Sequence, residues 1–435
     1  MNWKQLMHKL GDGGFLFVST LVVNIGNYGL NLLLGRFLGP SEFAAANILA
    51  TLVLVLSFIA LGFQLATAKF VAEYRADQQL SKEIAFVAWM KKFAIIFSVS
   101  ISVLLLVCQE NIANYLNFKT TTPLLLLFVA VPLYIDMSVS RGHYQGSNQF
   151  RKLAHTYIAE MLARLASTVV LVYICSQYHP SWMIEAIAIG FIFAFGAAAY
   201  FGRTPISTYF KTSNFAHSRQ VFTFLGVVAM YEFSQIIINN SDVLLVKHFF
   251  ENKEAGLYAS LAMIGRVVFF ATWTIVTLLF PKVIEKEKKG ESHIQLFWSS
   301  VATVAMFGLL IIIVCYFLDT SIVSMLFGSA YIITAPLLYK YAIATTLFSC
   351  ANVFVYYHMS LENYVPVLIS LLIGVSQIVG IYIYHQSMEQ IILVQILLMA
   401  MMLIAMIIYQ RSYTNYKTRI RRKLEEITIF KTDTI

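Results

Sequence analysis

The feature that most constrains this chain is a series of continuous apolar runs, each roughly twenty residues long, that recurs along its whole length. A helical run of this length spans the ~30 Å hydrocarbon layer of a bilayer. Only helices and closed barrels satisfy every backbone hydrogen bond in lipid, and continuous runs favour helices over the alternating pattern of barrel strands. Because 59% of the residues are hydrophobic and only 12% are charged, the sequence predicts an all-α polytopic membrane protein.

Twelve membrane spans can be placed on these apolar runs. We expect them at 13–34, 43–66, 88–108, 121–142, 154–176, 181–202, 221–246, 257–281, 296–318, 331–357, 364–385 and 389–409. An even number of spans puts both termini on the same side of the membrane. The first span follows Lys4 and Lys9 but has no cleavage site of small residues after it, so we expect it to stay as an anchor.

The positions of lysine and arginine predict the orientation of the chain. With the N-terminus inside, 24 of the 31 cationic side chains fall in or beside inside segments and four fall in outside loops. Cytoplasmic loops carry this excess, so both termini are expected in the cytoplasm. The same asymmetry accounts for the net charge of +9, and we therefore expect no nucleic-acid partner.

A polar link at 203–220 divides the chain into two sets of six spans. We predict an N-terminal six-helix lobe at 1–202, a cytoplasmic linker at 203–220, a C-terminal six-helix lobe at 221–410 and a basic cytoplasmic tail at 411–435.

An internal repeat relates the two lobes. At a constant offset of 212 residues, FLGPSEFAAANIL (37–49) aligns with FFENKEAGLYASL (249–261), and both stretches form an outside turn between two spans. A duplicated chain of this kind predicts two lobes related by pseudo-two-fold symmetry, with a transport pathway between them.

The first and seventh spans both carry polar side chains at helical spacing. These are Asn24, Asn27 and Asn31 in the first span, and Glu232, Gln235, Asn239 and Asp242 in the seventh. Such groups could bond to neighbouring helices and hold the bundle together. Two matched stripes, one of them with two acids, favour a water-filled cavity between the lobes.

Apart from those near span ends that are counted with inside segments, three cationic side chains lie within spans. Arg164 follows Glu160 by one helical turn, so the two could form a self-neutralising pair. Arg266 has no acid within four residues, and it must face water or a partner such as Asp242 to offset an insertion cost of roughly 2.5–3.5 kcal/mol. Lys340 could reach the membrane surface through its long side chain if its span begins near it.

These observations define a candidate substrate site and candidate coupling residues. We predict that the substrate is bound by Asn27, Asn31, Arg164, Asn239, Arg266 and Lys340. Cationic sites of this kind attract a phosphate or an acidic sugar. A buried acid, Glu232 or Asp242, could carry a proton or bind sodium, and the sequence does not choose between them. No nucleotide-binding or hydrolase motif and no metal-spaced cluster occurs, so we expect no enzyme activity and no cofactor.

Three segments carry a resemblance to a known family. They are LGPSEFA after the first span, NNSDVLLVKHFFENKEAGLYASLAMIGRV around the turn after the seventh, and LLFPKV at the end of the eighth. In these segments the chain resembles the polysaccharide flippases of the multidrug/oligosaccharidyl-lipid/polysaccharide exporter superfamily. That family's first turn often has glycine after the phenylalanine, where this chain has Ala44.

The resemblance implies a V-shaped, two-lobed bundle that alternates between inward- and outward-open states. It implies a bacterial cytoplasmic membrane protein that flips an oligosaccharide linked through pyrophosphate to a polyprenyl lipid, for surface polysaccharide biosynthesis. Its partners would be this substrate, membrane lipids and a coupling proton or sodium ion, and we expect a monomer.

Three other readings of the sequence remain open. A cation-coupled multidrug exporter of the same superfamily would favour acids over arginines within its spans. A membrane glycosyltransferase or polysaccharide polymerase usually has a large outside loop or a catalytic acid in a loop, and the outside loops here are short. A scaffold without transport activity would not need matched polar stripes.

Overall fold

The computed structural model describes residues 3–202, 218–269, 283, 286, 287, 291–361 and 363–432, and within them all regular structure is helical. The α-helices are α1 (Trp3–Ala76), α2 (Leu80–Val107), α3 (Gln109–Tyr115), α4 (Thr122–Val129), α5 (Val131–Gly146), α6 (Phe150–Tyr178), α7 (Met183–Phe201), α8 (Ser218–Phe249), α9 (Asn252–Gly265), α10 (Ile294–Phe317), α11 (Asp319–Leu326), α12 (Leu338–Ser360), α13 (Val365–Ile383) and α14 (Met388–Thr432). Short 3₁₀ stretches at Pro180–Trp182 and Ser329–Leu337 precede α7 and α12.

Ten of the described helical segments are long and apolar enough to cross a membrane. The first of them, Gly14–Ala76, contains both of the first two predicted spans. The eighth predicted span, 257–281, lies partly outside the described residues. These two differences account for the gap between ten segments and twelve spans, and the prediction of an all-α polytopic membrane protein is confirmed.

Helix α1 is too long to be a single span. Its 74 residues would extend ~110 Å as a straight helix, several times the thickness of the hydrocarbon layer. Gly39 interrupts the helical path with a φ of +71°, and Pro40 follows it. A positive φ is favourable only for glycine, so this position sets the turn between the first two spans.

Proline also divides the fourth predicted span. The segment Thr122–Gly146 consists of α4 and α5, which meet at Ala130, and Pro132 lies in the first turn of α5. Proline is tolerated there because the first N–H groups of a helix have no intrahelical acceptor. The fourth predicted span therefore consists of two helices that divide beside this proline.

The chain folds as two compact units. Unit 1 comprises Met1–Ile236, Val243–Ala259 and Leu326–Ala330, and unit 2 comprises Ile237–Asp242, Ser260–Met325 and Tyr331–Ile435. Most of the predicted linker, 203–217, lies outside the described residues, so the lobe boundaries stay a prediction. Unit 1 therefore includes residues from the second half of the sequence.

Within unit 1, the two turns related by the sequence repeat contact each other. A Cβ atom added at Gly256 would lie 1.7 Å from the carbonyl oxygen of Pro40. Asn117 donates hydrogen bonds from Nδ2 to the carbonyl oxygens of Lys247 and His248, each at 3.0 Å. We call these five residues the outer cluster, because all of them lie at turns that are predicted to face outside.

Replacing Gly256 with alanine is expected to destabilise the protein by about 1–3 kcal/mol, because overpacking forces the backbone apart. The measurement is the midpoint of thermal unfolding of the purified protein in detergent. Gly226→Ala in α8 is the matched control, since no atom of the described residues lies within 4 Å of a Cβ at that position. Equal midpoints for the Gly256 variant and the wild type would contradict the close contact.

The core of unit 2 surrounds α12, whose residues are buried along almost the whole helix. Helix α12 packs against α10 and α14, and α13 packs against α14. Gly265 at the end of α9 lies against α12, because a Cβ there would be 2.2 Å from Cδ1 of Tyr341. This close approach places the end of α9 beside the beginning of α12.

Candidate functional site

In unit 1, Arg164 lies where α1, α6 and α7 meet. Its Nη1 donates to Oδ1 of Asn27 at 3.2 Å, and its guanidinium carbon lies 4.2 Å from the ring centre of Phe191. Gly26 permits the close packing of α1 on α6, because a Cβ there would be 2.6 Å from Sδ of Met161. The structure therefore brings together two of the predicted substrate-binding residues.

Glu160 does not pair with Arg164. Its carboxylate accepts a hydrogen bond from Nη2 of Arg141, whose guanidinium also donates to Oγ1 and the carbonyl oxygen of Thr156. Among the described residues, no carboxylate lies within 4.0 Å of the Arg164 guanidinium. The alternative of a self-neutralising pair one turn apart on α6 is therefore wrong, because Arg141 on α5 lies closer to the acid.

In unit 2, Arg266 forms the ion pair that the sequence left as an alternative. Its Nη2 donates to Oδ1 of Asp242 at 3.2 Å, and its Nη1 lies 3.4 Å from Oδ1 of Asn240. The other carboxylate oxygen of Asp242 accepts a hydrogen bond of 2.7 Å from the hydroxyl of Tyr341. The polar stripe of the seventh span thus supplies the counter-ion for the arginine that follows α9.

A small cavity of about 20 Å³ adjoins this ion pair. It is lined by Ile238, Asn239, Arg266, Tyr341, Ala344, Thr345, Phe348, Gln377, Gln395 and Met399. This volume holds about one water molecule. Six of the ten side chains that line it carry amide, hydroxyl or guanidinium groups.

Gln377 shows that this cavity contains an unused acceptor. The residue is 1% exposed, and its Nε2 donates to the carbonyl oxygen of Ile238 at 3.0 Å and to Oγ of Ser241 at 2.9 Å. Among the described residues, its Oε1 has no hydrogen-bond partner. A buried acceptor without a partner is costly, so this oxygen is available to a water molecule or to a hydroxyl group of a ligand.

The remaining predicted residues occupy different places. Asn31 and Glu232 are half-buried in unit 1, and among the described residues no hydrogen bond or ion pair involves either side chain. Asn239 lines the cavity of unit 2 beside Arg266. Lys340 forms an ion pair with Glu389 in the first turn of α14, near the beginning of α12. The structure therefore gathers Asn239, Arg266 and Asp242 at one place but puts Lys340 at the ends of two helices.

Sequence reasoning missed a second buried ion pair in unit 1. Lys91 on α2 is fully buried, and its Nζ lies 2.9 Å from both carboxylate oxygens of Asp136 and 2.7 Å from Oγ of Ser140. We counted this lysine with the flanking charges of an inside loop. The signal that could have identified it is its position at the twelfth residue of α2, three turns into the helix.

The family follows from a sequence match. A family model described as "Polysaccharide biosynthesis protein" matches residues 33–336, which is more than half of the chain. The chain belongs to the polysaccharide biosynthesis protein family. This confirms the family that the sequence segments indicate. No curated protein sequence matches the chain.

Solved structures with similar folds are transporters. An inward-facing multidrug resistance MATE family transporter of the MOP superfamily aligns with a TM-score of 0.76 at 10% identity, over 91% of this chain and 96% of that one. The lipid II flippase MurJ in an inward closed conformation aligns with a TM-score of 0.72 at 12% identity, over 91% and 87% of the two chains. A MOP superfamily transporter from Pyrococcus furiosus Vc1 aligns at 0.62 and 11%, over 92% and 93%.

At these identities the likeness establishes the fold and not the substrate. This member of the polysaccharide biosynthesis protein family is a multi-pass membrane protein with the fold of MOP superfamily transporters. Its intramembrane arginines and the cavity beside Arg266 are the features from which a substrate can be argued.

Proposed function

We propose that this protein is a transporter that flips a lipid-linked oligosaccharide, joined to a polyprenyl lipid through pyrophosphate, across the bacterial cytoplasmic membrane by alternating access. The observation that carries the proposal is that Arg266, which lies within the predicted eighth span, lines a polar cavity with its guanidinium. A cation at this depth is retained where it serves a function or faces water. The family of the chain supports polysaccharide biosynthesis as the setting.

The chemistry of the substrate matches these side chains. Pyrophosphate is anionic, and arginine binds phosphate through two parallel hydrogen bonds. Each unit supplies one such arginine, Arg164 in unit 1 and Arg266 in unit 2. The amides beside them, Asn27 and Asn239, can donate to phosphate or sugar oxygens. We propose the same role for Asn31, whereas Lys340 would attract the anion from the ends of its helices.

The orientation and partners belong to the same proposal. We place both termini in the cytoplasm, with membrane lipids around the spans and a single chain as the transporting unit. The excess of lysine and arginine in the predicted inside segments supports this orientation.

A reconstituted transport assay tests the function. Purified protein in proteoliposomes is given a polyprenyl-pyrophosphate oligosaccharide, and its appearance in the opposite leaflet is followed with an enzyme that modifies only exposed sugar. We expect flipping that depends on the protein. A parallel assay with a lipophilic cationic dye addresses the second candidate, a cation-coupled multidrug exporter, which the fold of the MATE family transporter favours. Dye transport without flipping of the lipid-linked sugar would replace our proposal with this one.

Glu232 is the stronger of the two proposed coupling residues. Both carboxylate oxygens of Asp242 are hydrogen-bonded, whereas among the described residues the carboxylate of Glu232 forms no hydrogen bond and no ion pair. An acid in a membrane span without a counter-charge is stabilised by binding a proton or a cation. We therefore propose that Glu232 carries the coupling ion.

Glu232→Gln is expected to remove the acceleration of flipping by an ion gradient, because glutamine neither takes up a proton nor supplies a negative ligand. The measurement compares flipping rates in proteoliposomes with and without an imposed proton or sodium gradient. Glu110→Gln, at an exposed acid of α3, is the control and should keep the wild-type response. A Glu232 variant that still responds to the gradient would exclude this residue as the ion carrier.

A further inference from the structure

We propose that the carboxylate of Asp242 pairs with Arg266 in the absence of substrate and is displaced from it when the diphosphate of the substrate binds to Arg266. The inference rests on the proposed function, because it assumes that Arg266 binds an anionic group. It assigns to Asp242 a positioning role that acts through Arg266, in place of ion coupling.

The geometry separates the two members of the ion pair. The Asp242 side chain is completely buried, whereas the Arg266 side chain is 13% exposed and lines the cavity. A ligand in this cavity therefore meets the guanidinium and not the carboxylate. The cavity of about 20 Å³ holds a water molecule but no diphosphate, so the guanidinium has to turn away from Asp242 for a diphosphate to bind it.

Tyr341 makes this exchange feasible. Its hydroxyl donates to Oδ2 of Asp242 at 2.7 Å, independently of the bond from Arg266 to Oδ1. Its ring is fixed against Gly265, whose carbonyl oxygen accepts a hydrogen bond of 2.9 Å from Oγ1 of Thr345. When Arg266 leaves, the carboxylate keeps one strong hydrogen bond, which lowers the cost of a buried charge that has lost its partner.

The exchange also selects the ligand by charge. A diphosphate offers several anionic oxygens to the planar fork of an arginine, so it can replace a single carboxylate. A neutral or cationic ligand cannot compensate the guanidinium and would leave the ion pair intact. Asp242 thereby excludes ligands other than anions from Arg266. Because it competes with the anionic ligand, it also weakens the binding of that ligand.

The test is the affinity of the purified protein in detergent for inorganic pyrophosphate, measured by isothermal titration calorimetry. Asp242→Asn removes the competing charge and retains the size of the side chain, so we expect binding about tenfold tighter than in the wild type. If Asp242 had only a structural role, the Asp242→Asn variant would bind pyrophosphate more weakly, because its site would be disturbed. Unchanged or weaker binding would overturn the inference.

Tyr341→Phe provides a second test of the exchange if the Asp242 variant does not fold. This change keeps both charges and removes the hydroxyl that stabilises the released carboxylate, so we expect pyrophosphate to bind about threefold more weakly. Affinity equal to that of the wild type would count against the exchange. Tyr339→Phe, at the neighbouring tyrosine, is the matched control and should leave the affinity unchanged.

Arg266→Gln distinguishes failure of this inference from failure of the proposed function. If Arg266→Gln binds pyrophosphate as the wild type does, the proposed site itself is wrong. If Arg266→Gln loses binding while Asp242→Asn gains none, the site stands and only the exchange is overturned.

Discussion

Replacing Arg266 with glutamine is expected to lower the export of surface polysaccharide about a hundredfold, because a neutral amide cannot hold a diphosphate in a water-poor site. The same change leaves Asp242 completely buried without its cation, so the variant also tests whether the pair is needed for insertion. The measurement is complementation of a flippase-deficient strain, with the amount of variant protein in the membrane determined by immunoblot.

Two further variants serve as a comparison and a control for the Arg266 variant. Arg164→Gln is expected to reduce export less strongly, because its guanidinium contacts Asn27 and the ring of Phe191, so its removal leaves no acid without a counter-ion. Lys92→Gln is the control, since this lysine of α2 is exposed and has no assigned role. Full complementation by the Arg266 and Arg164 variants at normal protein levels would remove the cationic substrate site from the proposal.

The second large effect concerns the buried ion pair of unit 1. Asp136→Leu leaves the Nζ of Lys91 buried beside Ser140 without a carboxylate, and we expect a loss of about 3–5 kcal/mol in the free energy of unfolding. Lys91→Met should cost less, because the Asp136 side chain is 20% exposed and water can solvate its charge. The measurement is the midpoint of thermal unfolding in detergent.

The double variant Lys91→Met/Asp136→Leu is the informative control. Replacing both members of a buried pair by apolar residues of similar volume is often close to neutral. We expect the double variant to unfold near the wild-type midpoint. If it is as unstable as Asp136→Leu alone, packing and not the uncompensated charge causes the loss.

The sequence predicts a membrane protein and most of its spanning helices, because each span depends only on the residues within it. A run of apolar residues defines a span without reference to any other part of the chain, and the spans from α2 to α7 coincide with the predictions to within several residues. The turn at Gly39 was also predictable, since the segment between two spans must reverse the chain.

The pairing of charges could not be read from the sequence, because it depends on which helices lie side by side. The sequence leaves open a pair between Glu160 and the arginine one turn away on its own helix, whereas in the structure Glu160 pairs with Arg141 on α5. The carboxylate that pairs with Lys91 lies 45 residues later in the chain, so no local pattern connects the two. Asp242 was within reach of Arg266 only on the assumption that α8 packs near the end of α9, which the structure bears out.

The outer cluster has a consequence for any attempt to separate the repeats experimentally. Val243–Ala259 belongs to unit 1 although it lies in the second half of the sequence, and Gly256 touches the carbonyl of Pro40. A gene cut at the linker would therefore encode a first fragment whose hydrophobic interior lacks a piece that only the second fragment carries. The first half of the sequence is therefore not a self-contained folding unit, because part of the packing of unit 1 comes from the second half.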